Sequence, residues 1–402
     1  MRTLLIGAAL LLPLAAQAAD KELIERGKYL ARAADCVACH SIEGGADYAG
    51  GLPLVSPFGT IYGTNITPDK VHGIGNYTAD DLFNALTEGK RPDGSKLYPA
   101  MPYTSYHLIK REDSDAIYAY LMSLEPIAKP SPQTSLSFPF NLRFGLAFWN
   151  MIYRDRVQLQ PTEGKSEAWQ QGQYLVEVLG HCGECHTPRS ISGALEQDKR
   201  MQGGELLGYQ APSLLADDLA ARGWNPADLA TFLKYGISAQ GSMFNEMFPV
   251  FHHSTQSLPL NDHQAMATFL MGDQPPPAKL VVPPSLDKLS DSAKLGRQDY
   301  LNVCAGCHGG NGEGVPHVAV AMNGNTILRL ADPRNLLRVI DDGIHAQKFS
   351  GFERMQPMPG FVDKLSDEQL SNLLNYLRES WGGLPGDLTT ARVTELRDAA
   401  VH

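Results

Sequence analysis

The sequence predicts an all-α protein of three tandem helical domains, joined by proline-rich linkers behind a cleaved leader. Three observations predict it. All six cysteines fall in three copies of one five-residue pattern, spaced more than a hundred residues apart. Each copy lies in a segment with the same order of helix-like stretches, and no segment holds a convincing run of alternating strand residues. Prolines cluster twice, where boundaries are due. A length of 402 residues allows two to four domains, and a hydrophobic fraction of 43% is that of a globular chain. The balance of 34 Lys+Arg against 44 Asp+Glu, 34 − 44 = −10, argues against nucleic acid as a partner, since phosphate binding needs a basic face.

Taken in order, residues 1–18 read as a secretory signal peptide. Arg2 gives a basic start, Leu4 to Ala16 a small-apolar run, and Ala16-Gln17-Ala18 the cleavage pattern, so the mature chain starts at Ala19. The run is shorter than the ~20 residues a membrane span needs, which disfavours an uncleaved anchor. Export places the protein in the periplasm. Residues 19–128, 164–274 and 290–384 are the predicted domains. Residues 129–163 form a first linker, with prolines nearby at Pro126, Pro130, Pro132, Pro139 and Pro161. Residues 275–289, with Pro275-Pro276-Pro277 and Pro283-Pro284, form a semi-rigid spacer, and 385–402 a polar tail with no apolar face of any size.

The repeated pattern is Cys36-Val-Ala-Cys39-His40, Cys182-Gly-Glu-Cys185-His186 and Cys304-Ala-Gly-Cys307-His308. Cys-x-x-Cys-His is the attachment signature of c-type haem. Thiols one helical turn apart can each add to a vinyl group on one porphyrin edge, and the adjacent imidazole then points at the iron. A zinc site needs a second ligand pair within about 20 residues, and these pairs have none. A thioredoxin-like dithiol leaves the repeated histidine unexplained, and a disulfide inside Cys-x-x-Cys is strained. The sequence therefore predicts three covalently bound haem c groups, with His40, His186 and His308 as proximal ligands.

Each segment opens on a helical stretch with a Tyr-Leu pair: Tyr29-Leu30, Tyr174-Leu175 and Tyr300-Leu301. A second helix ends on Gly89, Gly236 or Gly343, a plausible left-handed cap. A closing helix carries Tyr120-Leu121, Phe269-Leu270 or Tyr376-Leu377, the last with Ser366 and Gln369 as a capping box. A six-coordinate carrier needs a distal ligand between glycine and closing helix, and methionine raises the potential. Met101, 61 residues beyond His40, is alone in its loop. The second segment offers Met247, again 61 residues beyond its histidine, and Met243, with spacing preferring Met247. The third offers Met355 and Met358, of which Met358-Pro359 repeats Met101-Pro102. Met122, Met266, Met271 and Met322 read as core filler. His107, His252-His253 and His345 are the histidine alternatives, and the Pro212 carbonyl is a candidate acceptor for the ring N–H of His186.

Further motifs are Pro57-Phe58-Gly59-Thr60-Ile61-Tyr62, Thr64-Asn65-Ile66-Thr67-Pro68 and Arg91-Pro92-Asp93-Gly94 running to Met101-Pro102. To these add Gly180-His181-Cys182 through His186-Thr187-Pro188-Arg189, His253-Ser254-Thr255-Gln256, and Met358-Pro359-Gly360-Phe361 with Leu365-Ser366-Asp367-Glu368. On these the chain resembles the three-haem cytochrome c subunits of bacterial membrane-bound dehydrogenases, over nearly the whole mature length. The resemblance implies three tandem class I cytochrome c domains with axial methionines Met101, Met247 and Met358. It implies a catalytic dehydrogenase subunit (flavoprotein, quinoprotein or molybdenum enzyme) as donor, and ubiquinone or a terminal oxidase as acceptor. It also implies peripheral attachment to the outer face of the cytoplasmic membrane. The chain departs from the family in extra residues within Gly241 to Val250 and in its polar end.

The aromatic-rich stretch Phe138 to Tyr153 is too broken to span a membrane. Packing between the first two haem domains is its expected fate, and docking on a membrane or partner the alternative. No nucleophile-base constellation, flavin fingerprint or phosphate loop is present. The rivals to a carrier are a haem peroxidase or sulfur-compound oxidoreductase, a gas or haem sensor, and a free electron shuttle.

Overall fold

Each Cys-x-x-Cys-His turn follows a leading helix, and a glycine decides how closely that helix crosses the closing helix of its segment. The computed structural model describes residues 11–351 and 353–400. The first ten residues of the expected leader thus lie outside the described residues. In the first segment Leu11–Ala33 crosses Arg111–Met122 at Gly27, where a Cβ would stand 1.9 Å from the Ala116 carbonyl oxygen. In the second, Glu167–Gln173 crosses Leu260–Met271 at Gly172, 1.9 Å from the Ala265 oxygen. In the third, Asp291–Asp299 crosses Asp367–Leu377 at Gly296, 1.9 Å from the Asn372 oxygen. Only a residue without Cβ allows backbones this close. The carbonyl in each case lies four residues before the closing-helix aromatic, Tyr120, Phe269 or Tyr376.

Between the crossing helices sits the glycine-ended helix: Ala79–Glu88, Pro226–Tyr235 or Arg334–Asp342. Gly89 and Gly236 follow the first two as left-handed caps at φ 55° and 73°, whereas Gly343, at φ 76° and ψ −172°, ends the third in an extended positive-φ conformation. Thr78 and Asp81 form a capping box on the first, and Asn225 caps the second. The predicted box of Ser366 and Gln369 is present. The Tyr-Leu pair, however, does not keep one register. Tyr29 and Tyr174 stand two residues after the crossing glycine and Tyr300 four, and π-helical turns start at both Tyr174 and Tyr300.

Short antiparallel pairs supplement the helices: Pro53–Ser56 with Gly59–Tyr62 and Ser135–Leu136, Gly204–Leu206 with Tyr209–Ala211, Ile237–Ser238 with Gly241–Ser242, and Gln347–Lys348 with Arg354–Met355. At two to four residues each, these strands are too short for period-two patterning to appear.

The chain forms two compact units. One runs to Pro161 and includes Tyr174–His181; the other comprises Thr162–Gln173 and the chain from Cys182 onward. Within the second unit the second and third segments are tightly joined. Asn335 accepts from the Gln210 N–H at 2.7 Å and donates to its carbonyl at 2.7 Å. Arg329 donates to the Arg222 carbonyl at 2.8 Å, and Phe349 packs on Gly236, Phe248 and Phe251. The proline-rich spacer is pinned to the same unit by Lys279 N–H on the Ala220 carbonyl.

One expectation is corrected. The polar tail holds a docked helix, Thr390–Ala400, whose Val393 and Leu396 are buried in the third core. Two apolar positions one turn apart suffice because Arg397 ties the same face to Asp341 and Asp367, at 2.6 Å each. The aromatic stretch packs on the first segment, with the helix Gly145–Tyr153 lying against the Met101 loop. Tyr103 donates to Asn150 Oδ1 at 2.7 Å and meets the Trp149 ring edge-on, while Arg143 donates to the Lys96 carbonyl.

Candidate haem-binding sites

The first site starts where Asp35, at φ 51°, breaks the leading helix and turns the chain into Cys36–His40. His40 Nδ1 lies 2.6 Å from the Thr64 carbonyl oxygen, so Nδ1–H donates and Nε2 is left for a metal. The buried Asn65 fixes that carbonyl. Its amide donates to the Ile127 and Lys129 carbonyls, and its oxygen accepts from the Thr67 N–H and hydroxyl. Thr64-Asn65-Ile66-Thr67-Pro68 is thereby a histidine-orienting strand. Gly63 lies so close under the turn that a Cβ would meet the Cys39 carbonyl at 1.8 Å.

The second site repeats this plan. His186 Nδ1 meets the Pro212 carbonyl at 2.7 Å, the acceptor expected from the sequence, and Gly204 fills the role of Gly63 beneath Cys185. At the third, His308 Nδ1 meets the Val320 carbonyl at 3.0 Å. The acceptors stand 24, 26 and 12 residues beyond their histidines, which is why no single spacing reveals Thr64 or Val320. Burial lowers the pKa of all three imidazoles, with the backbone hydrogen bond opposing it. All three are neutral at pH 7, the form that ligates iron.

None of the six cysteines is in a disulfide. Desolvation pushes Cys36 up to about 12, with Asp35 adding to it, and Cys304 up to about 11. Desolvation likewise pushes Cys185 up to about 11, with Glu184 adding to it. Among the described residues no three His, Cys, Asp or Glu side chains converge to hold an ion.

The methionine loops follow the glycine-ended helices. Leu97 N–H returns to the Gly89 carbonyl at 2.7 Å, and Met243 N–H to the Gly236 carbonyl at 2.7 Å. These two positions are equivalent, and four residues beyond each come half-buried Met101 and half-buried Met247. Met243 itself is 1% exposed and packs in the core. In the third segment both Met355 and Met358 line one apolar cleft with Cys304, Cys307, His308 and Phe361. Both are held by their backbones, Met355 in the strand pair with Gln347 and Met358 by hydrogen bonds both ways with Ile344 at 2.8 and 2.9 Å. Met322, expected as core filler, forms part of that cleft wall, whereas Met266 and Met271 are buried in the closing helix. Ser242 and Phe244 also line the third cleft, although they belong to the second segment's methionine loop.

Of the histidine alternatives, His252 is exposed and stacks on Phe248, His345 is exposed, and His107 binds the Thr104 carbonyl. The donor set of the third cleft, two thiols and a neutral imidazole facing thioethers across an apolar interior, fits a covalently held haem. In the second site, buried Arg222 lies near His186 and lowers its pKa, and its Nε has no protein acceptor, as suits an anionic cofactor group. Sequence reasoning missed Arg222, Phe244 and the three crossing glycines, and held Asn65 only as part of a motif, without its role. Only the glycines left a signal, two residues before Tyr29 and Tyr174.

The cytochrome c family pattern matches residues 24–125 and 293–381. Over 398 residues the chain is 38% identical to the cytochrome c subunit of alcohol dehydrogenase (quinone) from Gluconacetobacter polyoxogenes, covering 94% of this chain and 85% of that one. It is 37% identical to the gluconate 2-dehydrogenase cytochrome c subunit of Pantoea cypripedii, over 98% and 94%. With the fructose dehydrogenase cytochrome subunit of Gluconobacter japonicus it shares 35%, over 94% and 83%. Attachment turns, oriented imidazoles and full-length similarity together have one meaning: the chain belongs to the cytochrome c family of dehydrogenase cytochrome subunits, whose Cys-x-x-Cys-His motifs bind haem c covalently.

Proposed function

We propose that this protein is a periplasmic three-haem electron relay, taking electrons from a catalytic dehydrogenase subunit and passing them to ubiquinone or a terminal oxidase. The observation that carries the proposal is the repetition of one ligand plan three times in a chain similar throughout to dehydrogenase cytochrome subunits. Cys36, Cys39, Cys182, Cys185, Cys304 and Cys307 hold the cofactors, and His40/Met101, His186/Met247 and His308/Met358 are the axial pairs. Haem c held between histidine and methionine supplies reversible one-electron chemistry at raised potential. The residues do the rest. The Thr64, Pro212 and Val320 carbonyls fix each ring's orientation and tautomer, and the apolar walls keep water from the ligands. Ser242 and Phe244 place the second methionine loop against the third cleft, giving the last two sites a shared wall for transfer. Substrate oxidation falls to the partner, of flavoprotein, quinoprotein or molybdenum type.

The test is a haem count and spectrum on the purified holoprotein. Three haems per chain, three near-infrared methionine–iron bands, no peroxide turnover and slow carbon monoxide binding are the expected results. Fewer bands with rapid carbon monoxide binding at one site point instead to an enzyme or sensor and overturn the relay.

A further inference from the structure

The first linker has two faces. Its inner face is fixed: Leu146 and Asn150 are buried, Tyr98 donates to the Phe140 carbonyl, and the Phe58 and Phe140 rings touch. Its outer face shows Phe144, Phe148 and Met151 at 70%, 62% and 77% exposure. Their spacing of i, i+4, i+7 makes one stripe on the helix Gly145–Tyr153. A loose linker would leave aromatics exposed at random; here a clamped helix presents them in a row.

Charge decides what covers the stripe. The hairpin that receives Arg143 and the linker itself, residues 88–96 and 138–156, hold Lys90, Arg91, Lys96, Arg143, Arg154 and Arg156 against Glu88, Asp93 and Asp155, 6 − 3 = +3. The whole chain stands at −10. An excess of basic residues in the two segments that carry and clamp an apolar helical stripe, on an otherwise acidic protein, suits an interfacial helix on anionic lipid. A second copy would bring the same excess of positive charge against this one. We propose that the outer face of Gly145–Tyr153 docks the protein peripherally on an anionic phospholipid bilayer, with Phe144, Phe148 and Met151 entering the headgroup boundary. The proposal rests on the relay reading only for the protein's location at the membrane.

The test uses purified holoprotein and sedimentation with vesicles, of phosphatidylcholine alone or of phosphatidylethanolamine with phosphatidylglycerol. Pelleted protein is read on a gel, so the result does not depend on haem. Binding is expected to phosphatidylglycerol vesicles only, weakened by salt, and reduced at least about tenfold in Phe144→Ser/Phe148→Ser/Met151→Ser. The haem spectrum and circular dichroism should be unchanged, because the three side chains are already exposed. Equal sedimentation of wild type and variant, or none with either vesicle, overturns the proposal. So does an unaltered vesicle result when the variant loses a dimer seen by sedimentation velocity or its dehydrogenase partner. A colourless protein that still binds vesicles refutes the relay and leaves the docking face standing.

Discussion

Arg397 shows what one side chain can do for an otherwise polar chain end. It pairs with Asp341, whose side chain is almost fully buried, and with Asp367. Arg397→Ala leaves the Asp341 carboxylate buried without its cation and should cost about 3 kcal/mol, read as a lower urea midpoint. Asp367 supplies a pH signature. The Thr394 hydroxyl, and after it Arg397, hold its carboxyl below the ordinary range, while partial desolvation opposes them. A carboxyl with a depressed folded pKa stabilises above its unfolded value of about 3.9, and that stability is lost as pH falls through the folded one. Asp367→Asn should therefore flatten stability against pH below about 4, checked by thermal melts across that range. Among the methionines, Met247→Leu and Met358→Leu should each abolish one near-infrared band, whereas Met243→Leu and Met355→Leu should leave all bands in place. At this scale the attachment residues were legible, because covalent chemistry demands them in fixed order. The acceptor carbonyls were mostly not, since any residue type supplies a carbonyl.

The helix crossings belong to the next scale. Gly27, Gly172 and Gly296 each bring two backbones to a distance no side chain allows. Gly296→Ala should force the third crossing apart at a cost of about 3 kcal/mol or more, measured by chemical denaturation. Gly145→Ala, where a Cβ meets nothing within 4 Å, is the matched control and should change stability by no more than about 0.5 kcal/mol, toward greater stability. Helices and caps were readable because periodicity and left-handed glycines leave marks over many residues. The crossings were half readable: the aromatic of each closing helix was visible, but not the carbonyl four residues before it. The hairpins were invisible, being two to four residues long.

In the whole molecule, the cysteine pattern announces three segments, yet two of them share one compact unit. Phe349, only 6% exposed, reaches from the third segment onto Gly236 and Phe251 of the second. Phe349→Ala should cost about 3 kcal/mol and lower the melting of both segments together, which scanning calorimetry can read as one displaced transition. The sequence shows no such coupling, because a single aromatic at an interface has no periodicity to betray it.

The third cleft borrows Ser242 and Phe244 from the preceding segment. The repeats therefore cannot be handled like beads on a string. Excised alone, the last segment would keep its attachment motif and ligands but lose one wall of its pocket, admitting water where the chain now excludes it. The same dependence bears on maturation: the final pocket is complete only once the second segment has packed against it. A last repeat made alone would be a leaky cytochrome, so the second and third repeats work as one structural pair.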